Sequence, residues 1–403
     1  QDGLSRSSRG MVARGPPRLL SGYLPLEKSL ESGLPRRQSI TDNLVGRAAS
    51  VLPGGLGPSQ LGVVATAVPR LGLWAILERE QGASNFKGGI IMKILITGGL
   101  GQIGSHVAEL LLNRGDQVLV LDNLATGRRE HLPDNPNLQV VEGSVADSQL
   151  VQDSFESFRP DGVVHAAAAY KDPDDWVEDT LTNCVGGVNI IAAAKENQVG
   201  RFVYLQTSLC YGLHPQESPI SLNHPRSPEG SSYAISKTTN ELYLELSGID
   251  FVTFRLANVI GPRNLAGPLP IFFRRLTNGQ KCFVSESRRD FVFVMDLARH
   301  IVMALDGVGT GAYHFSSGKD VTIRELYDKV VESLGLPEYP EPDIIPLNED
   351  DVGSILLDPA RTSEDFGRFE HTSLDAVVRE AIRYYREYGV PQENTHLRLS
   401  SAD

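Results

Sequence analysis

Along most of this chain, short apolar runs alternate with longer stretches in which apolar residues return every three or four positions. The first clear pair lies between Met92 and Asp122. Ile94-Leu95-Ile96 has the length and purity of a buried strand. Val107, Leu110, Leu111 and Leu112 then recur at helical spacing until Asn113-Arg114-Gly115 ends the helix. A second run, Val118 to Leu121, closes on Asp122, and the first strand is joined to the helix by Thr97-Gly98-x-x-Gly101-x-x-Gly104.

The alternation continues downstream. Leu138 to Val141 predicts a strand, followed by a helix to about Phe158, a strand at Gly162 to His165 and a long helix around Thr182 to Asn197. Arg201 to Leu205 is the next strand. A loop rich in Pro and Ser runs from Gly212 to Ser232, a helix carries Tyr233 to about Ser247, and Phe251 to Leu256 is a further strand. Repeated strand–helix units predict an α/β fold: a doubly wound parallel sheet with helices on both faces. From about Asn258 the pattern loosens, and Pro262, Pro268 and Pro270 predict irregular chain. A short strand at Phe291 to Val294 and helices at about Thr322 to Leu334 and Leu374 to Tyr388 predict a smaller C-terminal lobe.

Strand, glycine turn, helix, strand and acid stand in the order that a dinucleotide site requires. Glycines let the backbone approach a pyrophosphate, and the N-terminus of the following helix presents free N–H groups and its positive dipole end. A carboxylate at Asp122 accepts ribose hydroxyls and repels a 2′-phosphate, which favours NAD over NADP. Ligands of such sheets bind beyond the carboxyl ends of the strands, where the glycine turn, Asp122, His165 and Thr207 all fall.

Composition narrows the partners. The 403 residues carry a formal net charge of -12, which argues against general nucleic-acid binding. The nearest approach to a membrane span, Leu61 to Leu77, is broken by Pro69-Arg70. Cys184, Cys210 and Cys282 form no C-x-x-C pair and are read as small buried hydrophobes in a reducing, cytoplasmic compartment. The histidines show no metal-site spacing. Residues 1–91 differ from the rest, with 11 lysines and arginines against six acidic residues and no sustained period. Met11 and Met92 are both possible starts. We read the segment as a poorly structured extension, with an organellar transit peptide as the alternative.

The sharpest chemistry lies in Tyr233-Ala-Ile-Ser-Lys237, preceded by Thr207-Ser208 at a strand end. Residues i and i+4 share a helix face, so Lys237 stands beside Tyr233. A phenol has a reference pKa of about 10. A neighbouring ammonium and a positive nicotinamide both favour phenolate, making Tyr233 a base near neutrality, while the Thr207 hydroxyl orients the substrate oxygen.

With these motifs in place, residues 92–389 resemble the extended short-chain dehydrogenase/reductase family, specifically its NAD-dependent nucleotide-sugar epimerases and dehydratases. The resemblance also rests on Asp122-Asn123-Leu124, His165-Ala-Ala, Asn183-x-x-Gly186, Thr207-Ser208-x-x-Tyr211-Gly212, Arg255-x-x-Asn258, Gly261-Pro262 and Arg289-Asp290-Phe291-Val292-x-Val294-x-Asp296. It is strongest toward bacterial epimerases of O-antigen sugars, through Gln206 to Gly212 and Tyr170 to Trp176.

The resemblance implies a Rossmann-type NAD-binding domain over 92–257, a mainly substrate-binding lobe over 258–390 and a tail over 391–403. It implies Thr207, Tyr233 and Lys237 as the catalytic triad. Gly98, Gly101, Gln102, Ile103, Gly104, Asp122, Asn123, Ala166, Ala167, Tyr233 and Lys237 become NAD contacts, and Asp147 joins them through the adenine. Thr207, Asn258 and Arg289 would hold the nucleotide-sugar substrate, and a homodimer through a four-helix contact is expected.

Departures from the family pattern narrow the reaction. Dehydratases follow the active-site threonine with Asp-Glu, and uronate decarboxylases place a glutamate at the second of these positions; here Ser208 and Leu209 stand there. Epimerisation at the sugar C4 needs only the triad and is the leading expectation. A dehydratase, a decarboxylase and a sterol-type dehydrogenase are the enzyme alternatives, and an NAD-sensing scaffold is the non-enzyme one. The segment from Gly279 to Arg289 looks shorter than the family's hairpin, and Phe293 replaces a frequent histidine. Lys171 is a candidate contact for a substrate carboxylate.

Overall fold

The computed structural model describes residues 91–390, apart from 171, 173, 337 and 348–351. The expectations for the N-terminal extension, the C-terminal tail and Lys171 lie outside the described residues.

The apolar runs form the expected sheet. β1 (Lys93–Thr97), β2 (Gln117–Asp122), β3 (Leu138–Glu142), β4 (Gly162–His165), β5 (Arg201–Thr207) and β6 (Phe251–Leu256) are all parallel. With β11 (Gly311–Phe315) at one edge, the strand order is β11-β6-β5-β4-β1-β2-β3. The chain therefore starts in mid-sheet, fills one side, then returns to fill the other. The point of reversal lies between β1 and β4, which opens a crevice at their carboxyl ends.

Helices cover both faces. α1 (Gln102–Arg114) lies on one side, with Val107, Leu111 and Leu112 buried against Ile94, Ile96 and Val120. α2 (Ser148–Phe158), α3 (176–196) and α4 (Ser232–Ser247) lie on the other, where Phe155, Ile190 and Leu244 meet Leu95, Val163 and Phe202. The long helix α3 begins six residues earlier than its apolar spacing predicts. It runs through Trp176–Glu178, a π-helical stretch Asp179–Gly186 and Gly187–Glu196 without leaving helical backbone angles. A π-turn shifts the face that a helix presents, so a fixed period of 3.6 does not carry across it.

The C-terminal half is more regular than its prolines suggest. After β7 (Asn258–Ile260), Pro268 and Pro270 fall in the first turn of a helix, α5 (Pro268–Thr277). Proline is tolerated there because the first N–H groups of a helix have no partner within it. β8 (Phe283–Ser285) and β9 (Arg288–Arg289) do not form a hairpin: they pair with β13 (Asp343–Ile345) and β12 (Val321–Thr322) respectively. β10 (Phe291–Phe293) is one residue shorter than expected, because Val294 opens α6 (Val294–Leu305). α6 packs Leu297, Ala298 and Ile301 on the α1 face of the sheet, and β11 (Gly311–Phe315) joins the sheet edge beside β6. α7 (Ile323–Leu334), α8 (Ala360–Asp365) and α9 (Leu374–Tyr388) follow. α5, α7 and α9 enclose a second core of Phe272, Phe273, Leu326, Tyr327, Val378 and Ile382. Among the described residues, no helix is long and apolar enough to cross a membrane.

Candidate active site

The parallel register places Thr97, Asp122, His165 and Thr207 at one edge of the sheet, each the last residue of its strand. The chain after β1 turns sharply at Gly98, whose φ of 66° belongs to the left-handed region. A Cβ on Gly98 would lie 2.7 Å from Ala167 N, and one on Gly104 would lie 2.4 Å from Gly98 O. These two glycines are therefore needed for close packing of the turn on itself and on Ala166-Ala167. Gly101 differs: a Cβ there would meet only Gly98 O, at 3.3 Å, within 4 Å.

The open side of Gly101 leads to the N-terminus of α1, which has no side-chain cap and no acidic residue in its first turn. Its leading N–H groups are thus left for an anion, which is the form a dinucleotide pyrophosphate takes. Gln102 and Ile103 head this turn, and the Gln102 Nε2 atom is buried without a hydrogen-bond partner.

Asp122 is buried, and its carboxylate ties the two loops of the cradle. Oδ2 accepts from Leu100 N at 2.9 Å and Oδ1 from Leu124 N at 2.8 Å. Each oxygen keeps lone-pair capacity for a ribose hydroxyl. Asn123 is exposed and accepts from Ala125 N at 3.1 Å. Asp147 is the N-cap of α2, accepting from Gln149 N and Leu150 N, both at 3.1 Å. The residues present thus fit a dinucleotide: a glycine cradle, an uncapped helix start and a fixed carboxylate.

Thr207 ends β5 and caps the short 3-10 turn Ser208–Tyr211, its Oγ1 accepting from Leu209 N at 3.2 Å. Tyr233 and Lys237 stand on the first turns of α4. Burial, with Tyr170 and Asp179 close by, raises the phenol of Tyr233 above its usual value. In the protein alone the balance therefore runs opposite to the sequence expectation of a phenolate. Burial likewise lowers the Lys237 ammonium to about 7, against the opposing charge of Glu241. A lysine whose charge is disfavoured by burial stabilises phenolate less than a full ammonium does. A nicotinamide cation beside this pair would act in the missing direction.

His165 is packed rather than poised as a base. Its Nδ1 shares a hydrogen with Thr97 Oγ1 at 2.7 Å, its ring stacks on Tyr204 at 5.7 Å, and burial lowers it to about 3. Cys210 is buried and its thiol is pushed up to about 12, which removes it as a nucleophile.

Asn258 stands opposite Phe291 in the short β7–β10 ladder and its N–H donates to Asp290 O at 2.9 Å, one residue after Arg289. Asn258 lies two residues beyond Leu256, the β6 partner of Thr207. Arg289 Nη1 donates to Arg288 O at 2.7 Å and Val352 O at 2.9 Å, which holds the guanidinium on the chain at 352–353. Sequence reasoning missed three buried residues around the triad: Tyr204, Gln206 and Glu241. Tyr204 was hidden inside an apolar strand. Glu241 carried a signal, since it continues the four-residue spacing of Tyr233 and Lys237.

The comparisons with known proteins place the chain in a family. The family model described as the NAD dependent epimerase/dehydratase family matches residues 94–315. The chain belongs to that family. This epimerase/dehydratase chain is similar to the Bordetella bronchiseptica enzyme WbmH solved with NAD+, at 66% identity over 74% of this chain and 100% of that one, with a TM-score of 0.73. It is similar to WbmG of the same organism solved with NAD and UDP, at 42% identity over 77% and 100%, TM-score 0.71. A UDP-glucose 4-epimerase of Mycolicibacterium smegmatis is 31% identical over 73% of this chain and 99% of its own length. Relatives also include dTDP-glucose 4,6-dehydratases. The chain is thus an enzyme of an NAD-dependent family with a Rossmann-like fold, and NAD is its cofactor.

Proposed function

We propose that this enzyme is an NAD-dependent nucleotide-sugar epimerase that inverts C4 of a UDP-sugar through a transient 4-keto sugar. The observation that carries the reading is the pairing of Thr207, Tyr233 and Lys237 with Ser208 and Leu209. The triad suffices to move a proton, and neither position after the threonine offers the carboxylate that elimination or decarboxylation would use.

Tyr233 takes the proton of the C4 hydroxyl while Thr207 holds the same oxygen. Bound NAD supplies a hydride acceptor in oxidation and a donor in reduction. Asn258 and Arg289 hold the diphosphate while the keto sugar turns in the site. Tyr233 then returns its proton as the opposite face is reduced, so protons and electrons balance without an external reagent. Lys237 supports the phenolate and, with Asp122 and the glycine turn, holds the cofactor.

The dimer is part of the proposal. α3 and α4 pack side by side, and their outer faces expose Trp176 at 67%, Val177, Leu181, Leu242, Tyr243 and Leu246 at 80%. Exposed apolar side chains on two adjacent helices suit burial against the same pair on a second copy.

Tyr233→Phe tests the function. Turnover should fall by about 10²–10⁴-fold, the usual worth of a general acid–base group, while NAD stays bound. Full turnover by this variant would sink the mechanism.

A further inference from the structure

Behind Thr207 and Lys237 lies a polar network enclosed in the protein. Glu241 is fully buried on α4, one turn beyond Lys237. Its Oε2 accepts from Gln206 Nε2 at 3.0 Å, and Gln206 Oε1 accepts from the N–H of Thr207 at 2.8 Å. Its Oε1 accepts from Arg255 Nε at 3.0 Å and Nη2 at 2.9 Å. Arg255 Nη1 in turn donates to Tyr211 Oη at 2.5 Å, and Tyr211 closes the turn that Thr207 caps. One carboxylate therefore anchors both sides of Thr207: its backbone N–H through Gln206, and the following turn through Arg255 and Tyr211.

A buried carboxylate is costly unless its charge is used or matched. Glu241 has Arg255 in contact, and Arg226 at 3.5 Å is shared with Glu245. Its other charged neighbour is Lys237 on the same face of α4, where Glu241 is the residue whose charge favours the ammonium. The other titratable groups around Lys237 are His165 on β4, Tyr204 on β5, and Tyr233 on α4 itself. In the protein alone His165 is held neutral, and Tyr204 and Tyr233 are held protonated. Around Glu241, Cys210 and Tyr211 are also held protonated, and Glu245 is engaged with Arg226.

We propose that Glu241 is a positioning residue of the catalytic triad, fixing Thr207 through Gln206 and setting a buried carboxylate one helical turn from Lys237. The proposal rests on the assignment of Thr207, Tyr233 and Lys237 made above.

The experiment uses the full-length protein with its NAD, carrying isotope-labelled lysine followed by NMR at Cε, with Lys237→Met to assign the signal. In Glu241→Gln the Lys237 midpoint should fall by about one pH unit or more, and the alkaline limb of kcat/KM should move down with it. An unmoved midpoint overturns the charge role. Gln206→Met keeps the charge and removes the tether, so kcat should fall about tenfold with KM and the Lys237 midpoint unchanged. An unchanged kcat overturns the tether. If Glu241→Gln does not fold, Glu241→Asp keeps the charge and withdraws the carboxylate from Gln206. It should lower kcat at an unmoved midpoint, and wild-type kcat would contradict the proposal. A wild-type protein inactive on every sugar would refute the epimerase reading, and the Lys237 titration would still decide the charge role.

Discussion

The ammonium of Lys237 lies 4.3 Å from the centre of the Tyr204 ring, and the Tyr204 hydroxyl donates to the backbone carbonyl of the same lysine at 2.8 Å. β5 thus cradles Lys237 with an aromatic face, which attracts a cation without neutralising it. The cost of burying the charge remains, and Lys237 titrates at about 7 in place of the usual 10.5.

That shift has a sign. Between about 7 and 10.5 the unfolded chain holds a proton on Lys237 that the native chain lacks, so native stability rises with pH there, by at most about 1.4 kcal/mol per unit. The penalty is present in full below 7. In NAD-free protein unfolded with urea, wild type should gain stability relative to Lys237→Met between about pH 7 and 9. A constant difference between the two would mean that Lys237 titrates normally.

Gly104→Ala places a methyl group 2.4 Å from Gly98 O and 2.8 Å from Gly99 Cα, both backbone atoms that cannot rotate away. We expect a loss of about 1–3 kcal/mol in unfolding free energy and loss of the NAD that co-purifies. Nucleotide released on denaturation, measured by chromatography, checks the second effect.

Arg201 is a purely structural counterpart. Its guanidinium bonds Ala304 O at 2.7 Å, Val308 O and Gly309 O at 2.6 Å, and Asp250 at 2.8 Å, joining the start of β5 to the end of α6. Arg201→Met should cost about 2–4 kcal/mol, since it strands buried carbonyls. NAD affinity, read by calorimetry on the folded fraction, should not change.

Leu246→Glu with Leu242→Glu puts two charges on the outer face of α4. The mass seen in sedimentation should fall to that of one chain. Unchanged assembly would place the contact elsewhere.

Much of the fold could be read from the sequence because its sheet is buried on both sides. Strands such as Val118 to Leu121 are continuous apolar runs, and the glycine turn announces the crevice. What escaped the pattern did so for local physical reasons. Pro268 and Pro270 look like helix breakers until they are placed in a first turn. α6 follows β10 with no intervening loop, so the apolar residues from Phe291 to Leu305 run together. Gly311–Phe315 pairs with a strand some sixty residues earlier, which no local period reveals. At the site, residue spacing brought out Thr207, Tyr233 and Lys237 as candidates. It could not show that burial outweighs their mutual charge effects, because that depends on what packs around α4.

The most direct measurement is product identity. Purified protein without added cofactor would be incubated separately with UDP-glucose, UDP-N-acetylglucosamine and UDP-glucuronate and followed by proton NMR. At least one sugar should yield its C4 epimer, with no net consumption of NAD. A 4-keto-6-deoxy sugar or a decarboxylated pentose in place of the epimer would contradict it, as would inertness toward all three with NAD supplied.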